Sequence, residues 1–565
     1  MEARNEEAQF LADSGIWGPS RRAKKSTGAD RYRVNIVGKE MCKDILDYIK
    51  PTLGRHEGCD LIDIFPGVGV WSTALNNALK PRSHLLLEPD ADFYEPVLKP
   101  LLERPGTKLL KESGIVWHEL AQVLNANHLP HQVEQKPSPD TEPQRNDTLL
   151  VTMNVSMYPT RRFRRFDSLA SLLLYQMIAS IRPGALFQKY GLVRMLIWTA
   201  ESDMMPLLPR TVQRRRKTAV EAEVSTDWVC QIAGPPVDET KEWYRRDKNI
   251  DLDSIGRVVR RMEELGIKTP PGRESNLMRD FRQLEKPVVA GEIPPEISRP
   301  FYEELEQLES AKAQGLFSPD SEEARRHRNL LYWIRANQKR YARAHDHLVW
   351  YKEVVQAFQD AAADPSLLPA AEEKARAWND HLDSLDKVAW RQAMLHIDNV
   401  EILHRDPPIL NWDRRYVDPL TVQPDEFFPN VPCALIDIQP KAAARALREI
   451  GPGSTHAGDT FDLMLRSLFS NNTTFVSKAL ESIQPGAADG VLQHCPSMKD
   501  ISVGGCPFAE LPMRRLGERQ LVELVEGWMK WPFRPQYTEL VARTADESWE
   551  EAESENPAKA IPPAV

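Results

Sequence analysis

Asp63-Ile64-Phe65-Pro66-Gly67-Val68-Gly69-Val70-Trp71-Ser72 is the stretch that decides the fold. The apolar run Leu61 to Phe65 reads as a buried strand, and Ser72 to Leu79 reads as the helix that follows it. Glycines at 67 and 69 let the backbone turn tightly and come close to a ligand without a Cβ in the way. A second apolar run, His84 to Leu87, ends in Glu88, about twenty residues on, where a carboxylate can accept both hydroxyl protons of an adenosine ribose. Strand, glycine loop, helix and acid in that order predict a nucleoside-cofactor fold. The alternative is a tight strand-to-helix turn with no ligand.

Further short apolar runs lie at 108–110, 148–155 and 193–198, separated by helix-length segments, which predicts a parallel, doubly wound α/β sheet. The Pro-, Asp- and Gln-rich stretch 134–147 reads as a surface insertion. From 236 to about 400 helical periodicity dominates: Leu330, Ile334, Tyr341, His345, Leu348 and Val355 recur at helical steps with Arg, Lys and Glu between them. Those charged faces read as solvated. Residues 415–545 return to a mixed globular reading. The tail from Asp546 to Val565 carries six acids and should be disordered.

At 565 residues the chain is too long for one core. Its net charge of -9 argues against a dedicated nucleic-acid binder working alone, so any such surface must be local or completed by a partner. The six cysteines form no Cys-x-x-Cys pair, and the thirteen histidines show no metal spacing, so no metal site is expected. No apolar run is long enough to span a bilayer, so no membrane partner is expected. The first residues are too acidic for a signal or transit peptide.

The order Asp-x-x-Pro-Gly-x-Gly resembles the first motif of the rRNA adenine dimethyltransferases. Other landmarks of that family follow in sequence. Asn35-Ile36-Val37 resembles its N-terminal Asn-Phe-Leu, and Asn154-Val155-Ser156-Met157 stands where it has Asn-Leu-Pro-Tyr. Glu426 to Pro440 resembles the entry to its C-terminal domain, and Phe461 to Ser470 the helix leading to its basic motif. The resemblance implies a methyltransferase-like Rossmann fold that takes S-adenosylmethionine, with a large helical insertion and a C-terminal helical domain. The implied organisation is a flexible segment 1–30, a Rossmann domain 31–235, the insertion 236–410, a helical domain 411–545 and the tail 546–565. Cofactor-binding roles are implied for Asn35, Asp63, Gly67, Gly69, Glu88 and Asn154.

The departures are informative. Phe65 replaces the family's first glycine and would narrow the methionine end of the pocket. The acid that holds the adenine amine has no clear match; Glu112 is nearest, and Ser113 is the aligned residue. Methylating an adenine requires an extruded base stacked on an aromatic ring. Asn154 keeps the amide, but Ser156 and Met157 replace the Pro and the aromatic residue, with Tyr158 one position late. Asn471, Asn472 and Thr473 replace the basic trio. No catalytic residue is therefore assigned in the degenerate motif 154–157, and cofactor binding is expected to be weak or lost.

This pattern of losses resembles the fungal mitochondrial transcription factor B branch of the family. That resemblance implies a matrix protein that assists the single-subunit mitochondrial RNA polymerase, with promoter DNA, above all its melted strand, as ligand. Two alternatives stay open: an active dimethyltransferase of small-subunit rRNA, and a non-catalytic rRNA-binding assembly factor. Arg161, Arg162, Arg164 and Arg165, interleaved with Phe163 and Phe166 after the fourth strand, are the candidate nucleic-acid contacts. The alternative there is a solvated loop whose phenylalanines pack inward. Arg210, Arg214, Arg215, Arg216 and Lys217 form a second basic run, read equally as a contact or as an exposed helix.

Overall fold

The computed structural model describes residues 5–16, 30–163, 166–236, 246–284 and 300–543. Ten strands form among them: β1 (Asn35–Ile36), β2 (Asp60–Ile64), β3 (Ser83–Leu87), β4 (Thr107–Leu110), β5 (Arg145–Asn154), β6 (Leu192–Thr199), β7 (Thr226–Gly234), β8 (Leu420–Thr421), β9 (Phe427–Phe428) and β10 (Ala434–Pro440). Eight make one sheet in the order β4-β3-β2-β5-β6-β10-β7-β8, and β1 pairs separately with β9. The strands sort their side chains with period two. Leu61, Leu150, Leu196 and Trp198 enter one apolar layer, and Ile62, Ile64, Val151, Met153, Met195 and Ile197 enter the other. Helices Lys39–Leu53, Val70–Leu79 and Lys248–Glu264 cover the first layer, and Trp117–Val123 and Leu169–Ala179 the second. A mixed sheet with this crossover order and one reversed strand near its edge is the methyltransferase-type Rossmann fold expected from the glycine loop.

Three features correct the sequence reading. The sheet is not wholly parallel: β10 runs antiparallel to both β6 and β7. It also comes from beyond residue 411, in the segment that the resemblance implied to be a helical domain. The chain leaves the sheet at the end of β7, builds the insertion, and returns beside the same strand, so the last strand pair is a hairpin whose loop is the insertion. Residues 1–30, expected to be flexible, contain the helix Glu6–Asp13, which the Asn5 side chain caps at Ala8 N and which buries Ala8 and Leu11 on the core. The tail 546–565 lies outside the described residues.

β10 is held by charge as well as by its ladder. Arg194 of β6 donates to Asp437 of β10 at 2.8 and 2.6 Å, and both side chains are wholly buried. Trp228 Nε1 and the Tyr416 hydroxyl donate to the same carboxylate at 3.1 and 2.8 Å, while Arg194 also donates to Thr52 O at 2.7 Å. Burial works against the Arg194 charge, and Asp437 and Tyr416 together outweigh it, so its pKa is raised.

The insertion is helical among its described residues. Lys248–Glu264 packs into the Rossmann core, while Glu322–Ala363, Leu368–Ser384 and Lys387–Leu403 share a core of their own around Tyr351, Trp378 and Ile397. Helices Ala457–Leu468, Val476–Ile483, Ala487–Leu492 and Glu518–Lys530 form the C-terminal core. No described helix is long and apolar enough to cross a membrane, and no described group of three or more His, Cys, Asp or Glu is placed to hold a metal.

Candidate nucleic-acid interface and the cofactor loop

The loop from β2 to the helix Val70–Leu79 turns as the glycines require: Gly67 and Gly69 have φ of 57° and 74°. Phe65 also takes a left-handed φ of 60°, a strained conformation for a bulky residue, and its side chain is buried. The close approach that forbids a side chain at Gly67 is made by protein: a Cβ there would run into Asn35 Oδ1. Asn35 Oδ1 accepts from Val68 N at 3.3 Å, and Asn35 Nδ2 lies 3.4 Å from the Tyr94 hydroxyl.

Glu88 stands at the end of β3 as expected, and it is fully buried. Its partner is Arg33, whose Nη1 donates to Glu88 Oε2 at 2.5 Å. Gly67 N donates to the same oxygen at 3.2 Å, and Asp90 N to the other at 3.2 Å. The Arg33 guanidinium lies 4.4 Å above the Phe65 ring centroid and 5.6 Å from that of Tyr94. Burial opposes the Arg33 charge, and Glu88, Tyr94 and Asp90 together more than restore it. The carboxylate that would accept ribose hydroxyls thus accepts a guanidinium, and Phe65 backs that guanidinium. These residues do not fit a bound S-adenosylmethionine. Phe65, a departure visible in the sequence, and Arg33, one that was not singled out, work as one unit. Asp63 is buried in β2, with Oδ2 3.5 Å from His84 Nε2, facing a neighbouring strand. A thermal melt tests the closed loop. Adding 1 mM S-adenosylmethionine should leave the midpoint unchanged, whereas a ligand at 100 times its Kd would add about 2.7 kcal/mol. A rise of several degrees would show that Arg33 yields to the nucleoside.

The altered catalytic motif is also spent internally. Asn154 Nδ2 donates to Val34 O at 2.9 Å, and its Oδ1 accepts from Ser156 N at 3.1 Å. Val34 N donates to Ser156 O at 2.9 Å and Tyr158 N to Tyr32 O at 2.7 Å, so residues 32–34 run alongside 156–158 as a short ladder. Val155 and Ser156 are buried, Met157 is half-buried, and Tyr158 is exposed. The one segment Tyr32–Asn35 therefore closes both the cofactor loop and the base-handling motif.

Beyond that ladder, Arg161 and Arg162 are exposed, and the Arg161 guanidinium sits 4.1 Å over the Tyr32 ring. Phe163 and Phe166 form an antiparallel bridge, with Phe163 exposed and Phe166 5.8 Å from Tyr175. Arg164 and Arg165 lie outside the described residues. The second basic run is not one patch. Arg215 is buried and paired with Glu223 at 2.6 Å, Arg210 pairs with Glu201 at 3.2 Å, and Lys217 with Glu221 at 3.5 Å. Arg214 and Arg216 line an open cleft, Arg216 donating to Ser470 O at 2.7 Å.

That cleft, about 1100 Å³, was not read from the sequence. Its walls are the loop after β6, the start of the helix Lys387–Leu403, and the turns at 471–475 and 512–514. Arg214, Arg216, Lys387, Arg391 and Arg514 line it against two carboxylates, Asp167 and Asp398, and Asp398 is already paired with Arg514 at 2.6 Å. Trp390 and Phe475 add aromatic faces, edge to face at 6.4 Å. Asn472, which stands in place of the family's basic trio, is buried and fixes one wall by donating to Val212 O, Gln213 O and Arg215 O at 3.1, 3.1 and 2.8 Å. The signal was present in sequence only as scattered cations from three distant segments.

Fold and site together define a methyltransferase-type body whose methyl-donor loop is filled by its own side chains and whose open cleft is cationic and aromatic. No family model matches the chain. Over 185 residues, 33% of this chain, it is 25% identical to mitochondrial transcription factor 1 of Saccharomyces cerevisiae, and equally to that of Saccharomyces paradoxus. The matched stretch spans about half of those relatives, 49% of each. Among solved structures it is similar to a dimethyladenosine transferase from Plasmodium falciparum, at 8% identity and a TM-score of 0.33 over 87% of this chain and 95% of that one. The likeness to the mitochondrial transcription factor branch, read first from the motifs, is a likeness of sequence.

Proposed function

We propose that this chain is a non-catalytic transcription initiation factor that helps a single-subunit mitochondrial RNA polymerase open its promoter and hold the displaced strand. The observation that carries this reading is the Arg33–Glu88 pair, which puts a protein cation where a methyl donor would bind. The cleft walled by the loop after β6, the helix Lys387–Leu403 and the C-terminal turns keeps what a strand-binding protein needs, cations for phosphates and aromatic faces for unstacked bases. The relatives named as mitochondrial transcription factors support the same class, and with it a mitochondrial location. The net charge of -9 accords with a factor whose polymerase supplies much of the phosphate contact.

Run-off transcription from a linear mitochondrial promoter, with the cognate polymerase, tests this. Transcripts should require the protein on duplex DNA and depend on it far less on a template melted beforehand. Equal transcription with and without the protein on both templates would remove the proposal. Methyl transfer to small-subunit rRNA would then be the activity to assay.

A further inference from the structure

The helix Glu322–Ala363 runs for 42 residues, and from Ala324 to His345 it contains no carboxylate and seven Arg or Lys. Its two sides are unlike. Ala324, His327, Leu330 and Ile334 are buried, and Leu330 and Ile334 form a small core with Leu305 of the helix Pro300–Ala313. Arg325, Arg328, Tyr332, Arg335, Lys339 and Arg343 follow one another at steps of three or four residues, all exposed, on the side away from that core. Among the described residues, Arg325, Arg335, Lys339 and Arg343 make no ion pair. Arg326, one position off the stripe, is taken by Glu304 at 2.7 Å. Glu322 and Glu323 stand before this run and Asp346 after it.

We propose that this stripe is a docking edge for duplex DNA, which it grips by the phosphate backbone. From Arg325 to Arg343 the helix rises about 27 Å, at 1.5 Å per residue. A straight rod with cations at regular steps suits a duplex, which carries a phosphate charge every ~1.7 Å of its axis. Tyr332 is the only large apolar side chain on the stripe itself, and the exposed Trp333 beside it lies under the Arg326 guanidinium at 5.5 Å, together too little for the apolar centre of a stable protein interface. The opposite face is already packed on a neighbouring helix, so it offers no apolar side to a lipid surface. This goes beyond the strand-holding role above, because the stripe lies in the insertion and its binding can be measured without polymerase.

The test is fluorescence anisotropy of the whole protein with a 30-base-pair duplex of no promoter sequence, from ~50 to ~200 mM KCl. The variant is Arg325→Ala, Arg335→Ala, Lys339→Ala and Arg343→Ala together. All four positions are exposed and alanine favours helix, so circular dichroism should be unchanged. The variant's slope of log K against log salt should be shallower by up to about 3.6, at about 0.9 per phosphate lost. Over that salt range those contacts account for a fall on the order of 100-fold in the unaltered protein. A control lacking Lys374 and Arg376, exposed on the helix Leu368–Ser384, should keep the original slope. An unchanged slope in the fourfold variant overturns the proposal. So does a variant that loses binding to phosphatidylserine vesicles or to single strands while its duplex binding is intact.

Discussion

Asp437→Ala should loosen the sheet by about 3–5 kcal/mol, the cost of stranding one charge of a buried pair. The carboxylate is the common acceptor for Arg194 of β6, Trp228 of β7 and Tyr416, which precedes β8. Without it the Arg194 guanidinium keeps only the Thr52 oxygens and the Tyr416 hydroxyl, at 2.7, 3.0 and 3.3 Å. Arg194 is wholly enclosed, so bulk water does not reach the stranded charge. The readout is amide hydrogen exchange along β6 and β10, where that energy corresponds to roughly two to three and a half orders of magnitude in rate. The double variant Arg194→Met, Asp437→Leu should recover most of the loss, since an apolar pair of similar volume in place of an ion pair is often neutral. A single variant within 1 kcal/mol of the parent protein would show that the pair does not hold β10. The pair matters to function because the loop after β6 forms a wall of the cleft.

The same pair shows where sequence reading stopped. β2, β3, β4, β5 and β6 were legible because each is a short apolar run with a turn or a helix after it. β7 and β10 were not. β10 was recognised only through its resemblance to a domain entrance, since an insertion of nearly two hundred residues separates it from β7. Yet Arg194 and Asp437 each interrupt an otherwise apolar run, and two opposite charges in two buried runs are a signal that those runs are neighbours. In the cofactor loop, Phe65 was visible as a departure, but its meaning depended on Arg33, which lies 55 residues from Glu88 in sequence. Arg33 sits in an unremarkable run, and only the folded chain shows that its guanidinium reaches the acid. The cleft was the least legible of all. Its cations come from loops after β6, from the insertion and from the C-terminal turns, and a surface built across three segments leaves no local pattern.

Replacing Trp390 and Phe475 together with alanine should weaken binding of a single-stranded promoter oligonucleotide by about 5- to 150-fold for each base that loses its platform, at roughly 1–3 kcal/mol per stacked base. Trp390 is well placed for that role. The Asp386 side chain caps its helix by accepting from Val388 N and Ala389 N at 2.8 and 3.0 Å, so the ring stands on a fixed first turn. Lys387 and Arg391 flank it, both exposed. Lys387→Ala with Arg391→Ala should act differently from the aromatic pair, making the salt dependence of single-strand binding shallower by about 1.4, at about 0.7 per phosphate. Stacking is insensitive to salt and phosphate contact is not, so the two variants separate the two forces. Neither should alter duplex binding along the Glu322–Ala363 helix, because none of the four residues lies on it. If the aromatic double variant holds the strand within two-fold of the parent protein, the cleft is not where the bases stack. The exposed Tyr158 and Phe163, beyond the ladder that closes the old catalytic motif, would then be the aromatic faces to remove next.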